Sequence, residues 1–206
     1  MALSRNFFSL RRNRAAFRGL IRKLRQRQGG VAAVEFAFIL PIMLTTFFGL
    51  VETTQGVMVD RKVTLLNRTL ADIASQTVAV NDAERNNMFN AARTTISPFP
   101  ENAVSMTFSS VVIAANGTAK VCWTETQGSM TGLAPGATIT LPTGLNVPSS
   151  SLIISKSNYP YTPAVGYTLT GTINIGNSPI YMRPRQGVRG GPDNVEQVER
   201  IGKPLC

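Results

Sequence analysis

Residues 31–51 read VAAVEFAFILPIMLTTFFGLV, a stretch of 21 residues that carries one charge, Glu35. As an α-helix rising ~1.5 Å per residue it spans about 30 Å, the thickness of the hydrocarbon core of a bilayer. The apolar core of a secretory signal peptide is shorter, roughly 7 to 15 residues, and the sequence Leu-Val-Glu-Thr at 50–53 does not resemble a small-x-small cleavage site. The stretch therefore predicts a transmembrane helix, and release as a secreted enzyme by signal peptidase is the weaker interpretation.

The positive charge of the chain lies on the N-terminal side of this stretch. Of the 21 Lys and Arg residues, nine lie within 1–30, which holds no acid, so twelve remain against eleven acids in the rest. The positive-inside rule then places the N-terminus in the cytoplasm and the remainder outside it. Phe7 to Leu24 has the spacing of a basic amphipathic helix that would lie on the anionic cytoplasmic leaflet of the membrane. The alternative is that this segment is a plain basic leader. Because these cations precede a membrane segment and do not cover a folded domain, they do not indicate nucleic-acid binding.

Several kinds of chemistry have no signature in the sequence. The chain has no histidine, and its two cysteines, Cys122 and Cys206, form no CxxC pair. Histidine is the usual general base and the commonest metal ligand, and paired cysteines are typical of metal or redox sites. There is also no P-loop, no Gly-x-Ser-x-Gly and no pair of acids at useful spacing. We therefore expect no catalytic site, no cofactor and no metal.

Glu35 is the unusual residue of the apolar stretch. A carboxylate at the centre of a bilayer costs at least ~2.5 kcal/mol, so an acid within a membrane segment suggests a function. Glu35 lies about one turn inside the segment, where the cost is smaller. The alternative is that its side chain reaches back to the interface and pairs with Arg27 or a lipid headgroup.

Glu35 and two nearby residues resemble a known processing motif. Gly30, followed by Glu35 and Phe36 five and six residues later, resembles the processing site of type IV prepilins, which also lies between a basic leader and an apolar helix. The resemblance implies that a prepilin peptidase cuts after Gly30, so that Val31 starts the mature chain. It also implies that Glu35 pairs with the new N-terminal amine and neutralises it within an apolar helix bundle.

A longer motif narrows the family. The segment AVEFAFILPIMLTTFFGLVE, residues 33–52, resembles the N-terminal motif of TadE/TadG-like proteins of the tight-adherence (Tad) pilus system, including Pro41, Gly49 and Glu52. The C-terminal half is similar to two further motifs of the same family, a Tyr-x-Tyr-x-Pro strand and a closing Arg-Pro-Arg motif. The matching residues here are Tyr159, Tyr161, Pro163, Arg183, Pro184 and Arg185.

The resemblance implies a pseudopilin-like, non-catalytic component of a Tad pilus, crossing the bacterial inner membrane once. Its partners would be the membrane, the prepilin peptidase, other Tad pilins or pseudopilins, and assembly platform proteins. Processing is not universal among TadG-like proteins, and the length of the chain does not separate the TadE, TadF and TadG-like branches. The alternative is a permanently anchored periplasmic or surface domain that binds a ligand.

The helical pattern continues beyond the membrane segment. An apolar seam recurs at spacings of 4, 3, 4, 3 and 4 through Val59, Val63, Leu66, Leu70, Ile73 and Thr77. Asn81-x-x-Glu84 has the form of a capping box and predicts a second helix to about Ile96, ended by Pro98 and Pro100. One face of this helix would carry Phe89, Ala92 and Ile96.

These patterns divide the chain into four parts. We expect a leader at 1–30, a membrane helix at 31–51, extramembrane helices at 52–97 and a sheet domain at 98–206.

The last part of the chain predicts antiparallel strands. Asn116-Gly117 favours a two-residue hairpin that pairs Val112 with Val121 and Ser110 with Trp123. One face would then carry Val104, Met106, Phe108, Val112, Ala119, Val121 and Trp123. Cys122, opposite Val111, would point to the other face, where a tail ending in Cys206 can form a disulfide in an oxidising compartment; two free thiols are the alternative.

The remaining segments complete the predicted architecture. Gly128 to Pro148 and Gly187 to Pro192 are typical of loops, and further strands are expected at 151–159, 167–175 and 180–183. The predicted fold class is α+β, with a long N-terminal helix that continues from the membrane and a second helix packed on an antiparallel sheet, pilin-like in outline.

Overall fold

The computed structural model describes residues 29–163, 166 and 170–206. The amphipathic helix predicted for Phe7 to Leu24 lies outside the described residues. The fold is α+β, as predicted, with helices α1 (Gly29–Gln76) and α2 (Asp82–Thr94), a short 3-10 turn (Glu101–Ala103), and strands β1 (Ala79–Val80), β2 (Ser105–Ile113), β3 (Ala119–Gln127), β4 (Thr138–Ile139), β5 (Ser150–Tyr161), β6 (Ile173–Gly176), β7 (Ile180–Met182), β8 (Val188–Gly190), β9 (Val195–Gln197) and β10 (Glu199–Arg200). The chain divides into two compact units, Met1–Val51 and Glu52–Cys206.

The described part of the first unit is the N-terminal part of α1, and it contains a proline. Pro41 has no N–H to donate to the preceding turn. The Thr45 hydroxyl donates to the Pro41 carbonyl at 2.7 Å, and the Thr46 hydroxyl donates to the Ile42 carbonyl at 2.9 Å. The hydroxyls of both threonines are thus satisfied by the helix's own backbone, which suits a segment surrounded by lipid.

In the second unit, α1 buries the predicted seam. Val59, Val63, Leu66 and Leu70 are at most 2% exposed, and Ile73 packs against the same cluster. The seam prediction is confirmed up to Ile73. Thr77 lies beyond Gln76, the last residue of the helix, and its hydroxyl donates to the Ile73 carbonyl at 3.2 Å.

The predicted capping box starts α2. The Glu84 backbone N–H donates to Asn81 Oδ1 at 2.8 Å, and the Asn81 N–H donates to Glu84 Oε2 at 3.0 Å. These reciprocal bonds satisfy two backbone donors that have no partner within the helix. Phe89, Ala92 and Ile96 are all buried, as predicted, although regular helix ends at Thr94 and Ile96 lies in the turn that follows.

The main sheet has the order β4-β3-β2-β5-β6, with β7 also paired to β5, and all of its pairs are antiparallel. Its two faces belong to different apolar clusters. The larger cluster joins the helices to Met106, Phe108, Trp123, Ile153, Tyr159 and Tyr161. The smaller cluster holds strand and loop residues, namely Val111, Ile113, Ala119, Val121, Leu141, Leu152 and Ile154.

The β2–β3 hairpin differs from the prediction. The Ala114 N–H donates to the Thr118 carbonyl at 2.9 Å, so the loop has three residues and not two, and it ends at Gly117 with φ +81°. The extra loop residue shifts the register by one, which makes the predicted Val112–Val121 pair wrong: Val112 lies opposite Lys120.

A β-bulge at Cys122 restores the register further along the hairpin. Ser110 pairs with Trp123 as predicted, whereas Val111 pairs with Val121, which leaves Cys122 as the extra residue. Because side chains alternate across a strand, a one-residue shift moves them to the opposite face. Val121 therefore lies in the smaller cluster and Trp123 in the larger one, so the prediction that both share a face was wrong. Cys122 is also not opposite Val111.

The other predicted strands differ from the structure mainly in length. The predicted loop at 128–148 is wrong in part, because β4 lies within it and pairs with β3. The strand expected at 151–159 runs from Ser150 to Tyr161. Of the strand expected at 167–175, residues 167–169 lie outside the described residues, and β6 begins only at Ile173. The predicted loop at 187–192 is wrong in part, because β8 lies within it and pairs with β9.

Candidate functional site

The residues of the predicted processing site lie at the N-terminal end of the described part of α1. Gly29 is the first described residue and is helical, so the peptide bond after Gly30 lies within helical backbone. Val31 and Phe36 are 58% and 57% exposed, and Glu35 is exposed between them. Residues four apart on a helix lie one above the other on the same face. The Glu35 carboxylate is thus one turn away from the backbone nitrogen that a cut after Gly30 would convert to an amine.

The first unit presents an apolar surface. Every residue from 30 to 47 is exposed, and the exposed set includes large apolar side chains such as Phe38, Ile42 and Phe47. One helix in the described part of the chain, Gly30–Gln76, is long and apolar enough to span a membrane. An exposed apolar surface of this length requires lipid or protein around it.

Asn67 joins α1 to the sheet inside the second unit. The side chain is 3% exposed, and its Nδ2 donates to the Ser178 carbonyl at 2.9 Å. From β5, the buried Ser155 hydroxyl lies against the Asn67 backbone carbonyl, at 3.0 Å, and against Asn67 Oδ1. A buried amide with partners on both sides fixes the position of the helix along the strand, because sliding would leave these groups unpaired.

Gly176 allows α1 to approach the sheet closely. Its φ is +115°, and an added Cβ would clash with the Ser157 carbonyl and lie 2.9 Å from Val63 Cγ1. The Ser157 hydroxyl donates to the Val63 carbonyl at 3.4 Å. Only glycine satisfies both the backbone conformation and the space at this position.

Tyr161, from the Tyr-x-Tyr-x-Pro motif, meets the first turns of the second unit. Its hydroxyl donates to Gln55 Oε1 at 3.3 Å. Burial, and after it the charge of Glu52, raises the pKa of Tyr161 above its usual value of 10.0. Glu52 is 1% exposed. Tyr159 packs edge-on against Phe99 with ring centroids 6.4 Å apart. The two tyrosines thus belong to the contact between β5 and the helices.

The two arginines of the Arg-Pro-Arg motif have different environments. Arg185 Nη2 lies 2.7 Å from Asp72 Oδ1 of α1, and its backbone N–H donates to the Ser75 carbonyl at 2.8 Å. Arg183 instead lines a cleft with Ser149 and Arg189. The structure therefore brings Tyr159, Tyr161 and Arg185 to the helices, and places Arg183 elsewhere.

An ion cluster around Arg200 has no signal in the sequence. The buried guanidinium donates from Nε to Glu125 Oε1 at 2.8 Å, from Nη1 to the Val80 carbonyl at 3.1 Å, and from Nη2 to Asp82 Oδ1. Lys203 Nζ and Arg85 Nη1 each lie 3.3 Å from the Glu125 carboxylate. These residues are scattered along the chain, and no spacing or motif indicates that they meet.

The carboxylates of this cluster are held in their charged form. Burial opposes ionisation of Glu125, but the hydrogen bond and charge of Arg200, together with Lys203, outweigh it and lower the pKa of Glu125 below its usual 4.5. The hydrogen bond and charge of Arg200, and then the charge of Arg85, lower the pKa of Asp82. The cluster is a fixed attachment of the C-terminal residues to β3 and α2.

The predicted disulfide between Cys122 and Cys206 is present. It joins residues 84 positions apart, with Cα atoms separated by 5.5 Å. Next to it, the Trp123 indole N–H donates to the Val198 carbonyl at 3.0 Å. Within 29–163, 166 and 170–206, no group of three or more His, Cys, Asp or Glu side chains is placed to hold a metal ion.

Comparison with known proteins agrees with the N-terminal motif. Residues 30–71 match the family model described as TadE-like protein. The chain contains a TadE-like domain. This domain begins at Gly30, includes the whole membrane-length stretch and covers most of the buried seam. No curated protein and no solved structure gives a significant match to the chain. A TadE-like domain combined with a membrane-length helix fits a membrane-anchored component of a Tad pilus.

Proposed function

We propose that this chain is a pseudopilin-like, non-catalytic component of Tad pilus assembly in the bacterial inner membrane. The observation that carries the proposal is the start of the TadE-like domain at Gly30, the residue of the proposed cut, immediately before the membrane-length stretch of α1. The leader (1–30) would lie in the cytoplasm, residues 31–51 would cross the membrane, and the helices at 52–97 with the sheet domain at 98–206 would lie in the periplasm.

Processing would change the chain in two ways. Removal of residues 1–30 takes away nine cations that hold the N-terminus at the cytoplasmic face. It also creates an amine at Val31, one helical turn from the Glu35 carboxylate. In an apolar bundle, an amine and a carboxylate each need an opposite charge, so Glu35 would pair with the amine of its own chain or of a neighbour.

In the second unit, contacts with the sheet would hold α1 in a fixed position. Asn67 is held by Ser155 and by the Ser178 carbonyl, and Asp72 is held by Arg185. A helix fixed along its own sheet in this way would present a constant surface to other subunits. Its partners would be the prepilin peptidase, other Tad pilins or pseudopilins, and the assembly platform.

The experiment is intact-mass measurement and N-terminal sequencing of the membrane form, from cells with and without the cognate prepilin peptidase. We expect a chain starting at Val31 only when the peptidase is present. Gly30→Leu should block the cut, whereas the matched variant Gly29→Ala should still be cut. Recovery of only full-length chains, under conditions in which the peptidase cuts another substrate, would contradict processing.

A permanently anchored binding domain is the second candidate. The observation that favours it is the polar cleft beside Arg183 in the second unit. A chain of this kind would keep its leader in the presence of the peptidase, and its function would not need the Glu35 carboxylate.

A further inference from the structure

A polar cleft lies in the second unit, lined by residues of the β5, β7 and β8–β9 segments. It has a volume of about 250 Å³. Its walls come from the start of β5, the segment after β7, and the β8–β9 hairpin. The polar and charged side chains in the lining include Ser149, Ser151, Arg183, Arg189, Asn194 and Glu196.

The cleft has an excess of positive charge. Arg183 is exposed and has no ion pair with any residue in the described part of the chain. Arg189 Nη2 reaches Glu196 Oε2 only at 3.9 Å, and both side chains are largely exposed. The lining therefore carries two guanidinium groups and a single loosely paired carboxylate, a composition that attracts anions.

The backbone around the cleft is strained. Among the described residues, three non-glycine residues have positive φ, and two of them, Ser149 at 55° and Asn194 at 49°, line this cleft. Such conformations are unfavourable for side-chain-bearing residues and cluster at ligand sites, where the surroundings hold them. The two residues lie on different segments of the lining, Ser149 before β5 and Asn194 in the β8–β9 turn.

The walls are held in place by the rest of the unit. The Ser151 hydroxyl donates to the Glu196 carbonyl, which joins β5 to β9. The Gln197 side chain donates to the Gly190 carbonyl at 3.4 Å and to the Cys206 carbonyl at 3.2 Å, beside the disulfide. β7, which precedes Arg183, is paired to β5 through Ile153 and Met182. The two arginines are thus carried on connected elements, as a preorganised site requires.

We propose that this cleft binds an oxyanion, a phosphate or a carboxylate, on a small hydroxylated carrier such as an acidic sugar. The planar fork of an arginine matches the geometry of both anions, and hydroxyl and amide groups suit the hydroxyls of a carrier. The volume of about 250 Å³ is below the roughly 300 to 1,000 Å³ of sites for drug-sized ligands, which suits an occupant no larger than a single sugar. This site does not depend on processing or on the pilus function.

The test is a calorimetric titration of the full-length chain in a non-ionic detergent with inorganic phosphate, galacturonate and uncharged galactose. We expect single-site binding of at least one anion and none of galactose. Tighter binding of phosphate identifies a phosphoryl ligand, and tighter binding of galacturonate identifies an acidic sugar. Absence of binding by either anion at millimolar concentration, or equal binding of galactose, would overturn the proposal.

Four variants separate the cleft from general charge attraction. Arg183→Gln and Arg189→Gln should each weaken anion binding about 10- to 100-fold, the range for a charge-assisted hydrogen bond. Glu196→Gln should tighten it, because the competing carboxylate is removed. Arg68→Gln removes an exposed cation on α1 and should leave binding unchanged. An equal loss in Arg68→Gln and Arg183→Gln would show a diffuse charge effect and contradict the site.

Discussion

Arg200 and Glu125 form a buried ion pair between residues 75 positions apart, with Nε and Oε1 separated by 2.8 Å. Arg200 is 7% exposed and Glu125 is 8% exposed. The same guanidinium contacts the Val80 carbonyl and Asp82, so it joins the C-terminal residues to β3, β1 and the start of α2. The pair therefore links parts of the second unit that no local interaction brings together.

The first prediction concerns pH. The pKa of Glu125 is lower in the folded protein than its usual 4.5, so the unfolded chain binds more protons in the acid range. The resulting stability is present above pH 4.5 and is lost as the pH falls from there through the lowered pKa. Denaturant unfolding at a series of pH values should show this decline.

Glu125→Gln tests the origin of that decline. It leaves the buried Arg200 guanidinium with Asp82 as its remaining charged partner, so we expect the free energy of unfolding at neutral pH to fall by about 3 kcal/mol and the acid slope to become shallower. Glu101→Gln, which removes an exposed carboxylate, should keep the wild-type slope. An unchanged acid slope in Glu125→Gln would contradict the assignment.

The second prediction concerns the contact between α1 and β6. Gly176→Ala introduces a Cβ that meets the Ser157 carbonyl and Val63 at a φ of +115°. We expect a loss of about 2 kcal/mol or more in the free energy of unfolding. Gly144→Ala is the matched control, because its Cβ would have no heavy atom within 4 Å. Equal stability of the two variants would show that the close approach is unimportant.

The third prediction concerns Asn67. Asn67→Ala leaves the Ser178 carbonyl and the Ser155 hydroxyl without the side-chain partner that they have now. The expected cost is about 2 kcal/mol, measured by denaturant unfolding. The neighbouring Arg68→Ala, on the exposed side of the helix, should stay within about 0.5 kcal/mol of wild type. A smaller loss in Asn67→Ala than in Arg68→Ala would be the contrary result.

The fourth prediction concerns the disulfide. It closes a loop of 84 positions, which in the chain-entropy model corresponds to about 4 kcal/mol. Cys122→Ser and Cys206→Ser should each lose about this amount relative to the oxidised wild type. Reductant should lower the stability of the wild type to a similar level and should have no effect on either variant. Sensitivity of the variants to reductant would point to another cause.

The fifth prediction concerns the role of Glu35 in assembly. Glu35→Ala removes the carboxylate that would pair with the Val31 amine, and we expect loss of piliation while the protein stays in the membrane fraction. Electron microscopy of pili, with immunoblotting of membranes, measures both. Glu101→Ala, which removes an exposed carboxylate outside this helix, should not affect piliation. Normal piliation in Glu35→Ala would instead favour the anchored binding domain.

Features that depend on near neighbours were predictable from the sequence alone. The membrane-length helix follows from an apolar stretch with a single charge, the seam from its spacing, and the start of α2 from the capping-box pattern of Asn81 and Glu84. Residues three or four apart on a helix meet whatever the rest of the chain does, so these patterns determine local structure. The TadE-like resemblance rests on the same contiguous segment.

Tertiary structure decided what depends on distant parts of the chain. Asn116-Gly117 predicted a two-residue hairpin loop, whereas the loop has three residues, and the bulge at Cys122 that compensates for the extra residue places side chains in the apolar clusters on both faces of the sheet. No spacing indicated that Arg200 meets Glu125, or that Arg185 contacts α1 while Arg183 lines a cleft. Such contacts form only when folding closes long loops and brings residues that are far apart in sequence to one place. Local propensity carries no information about which of these residues will meet.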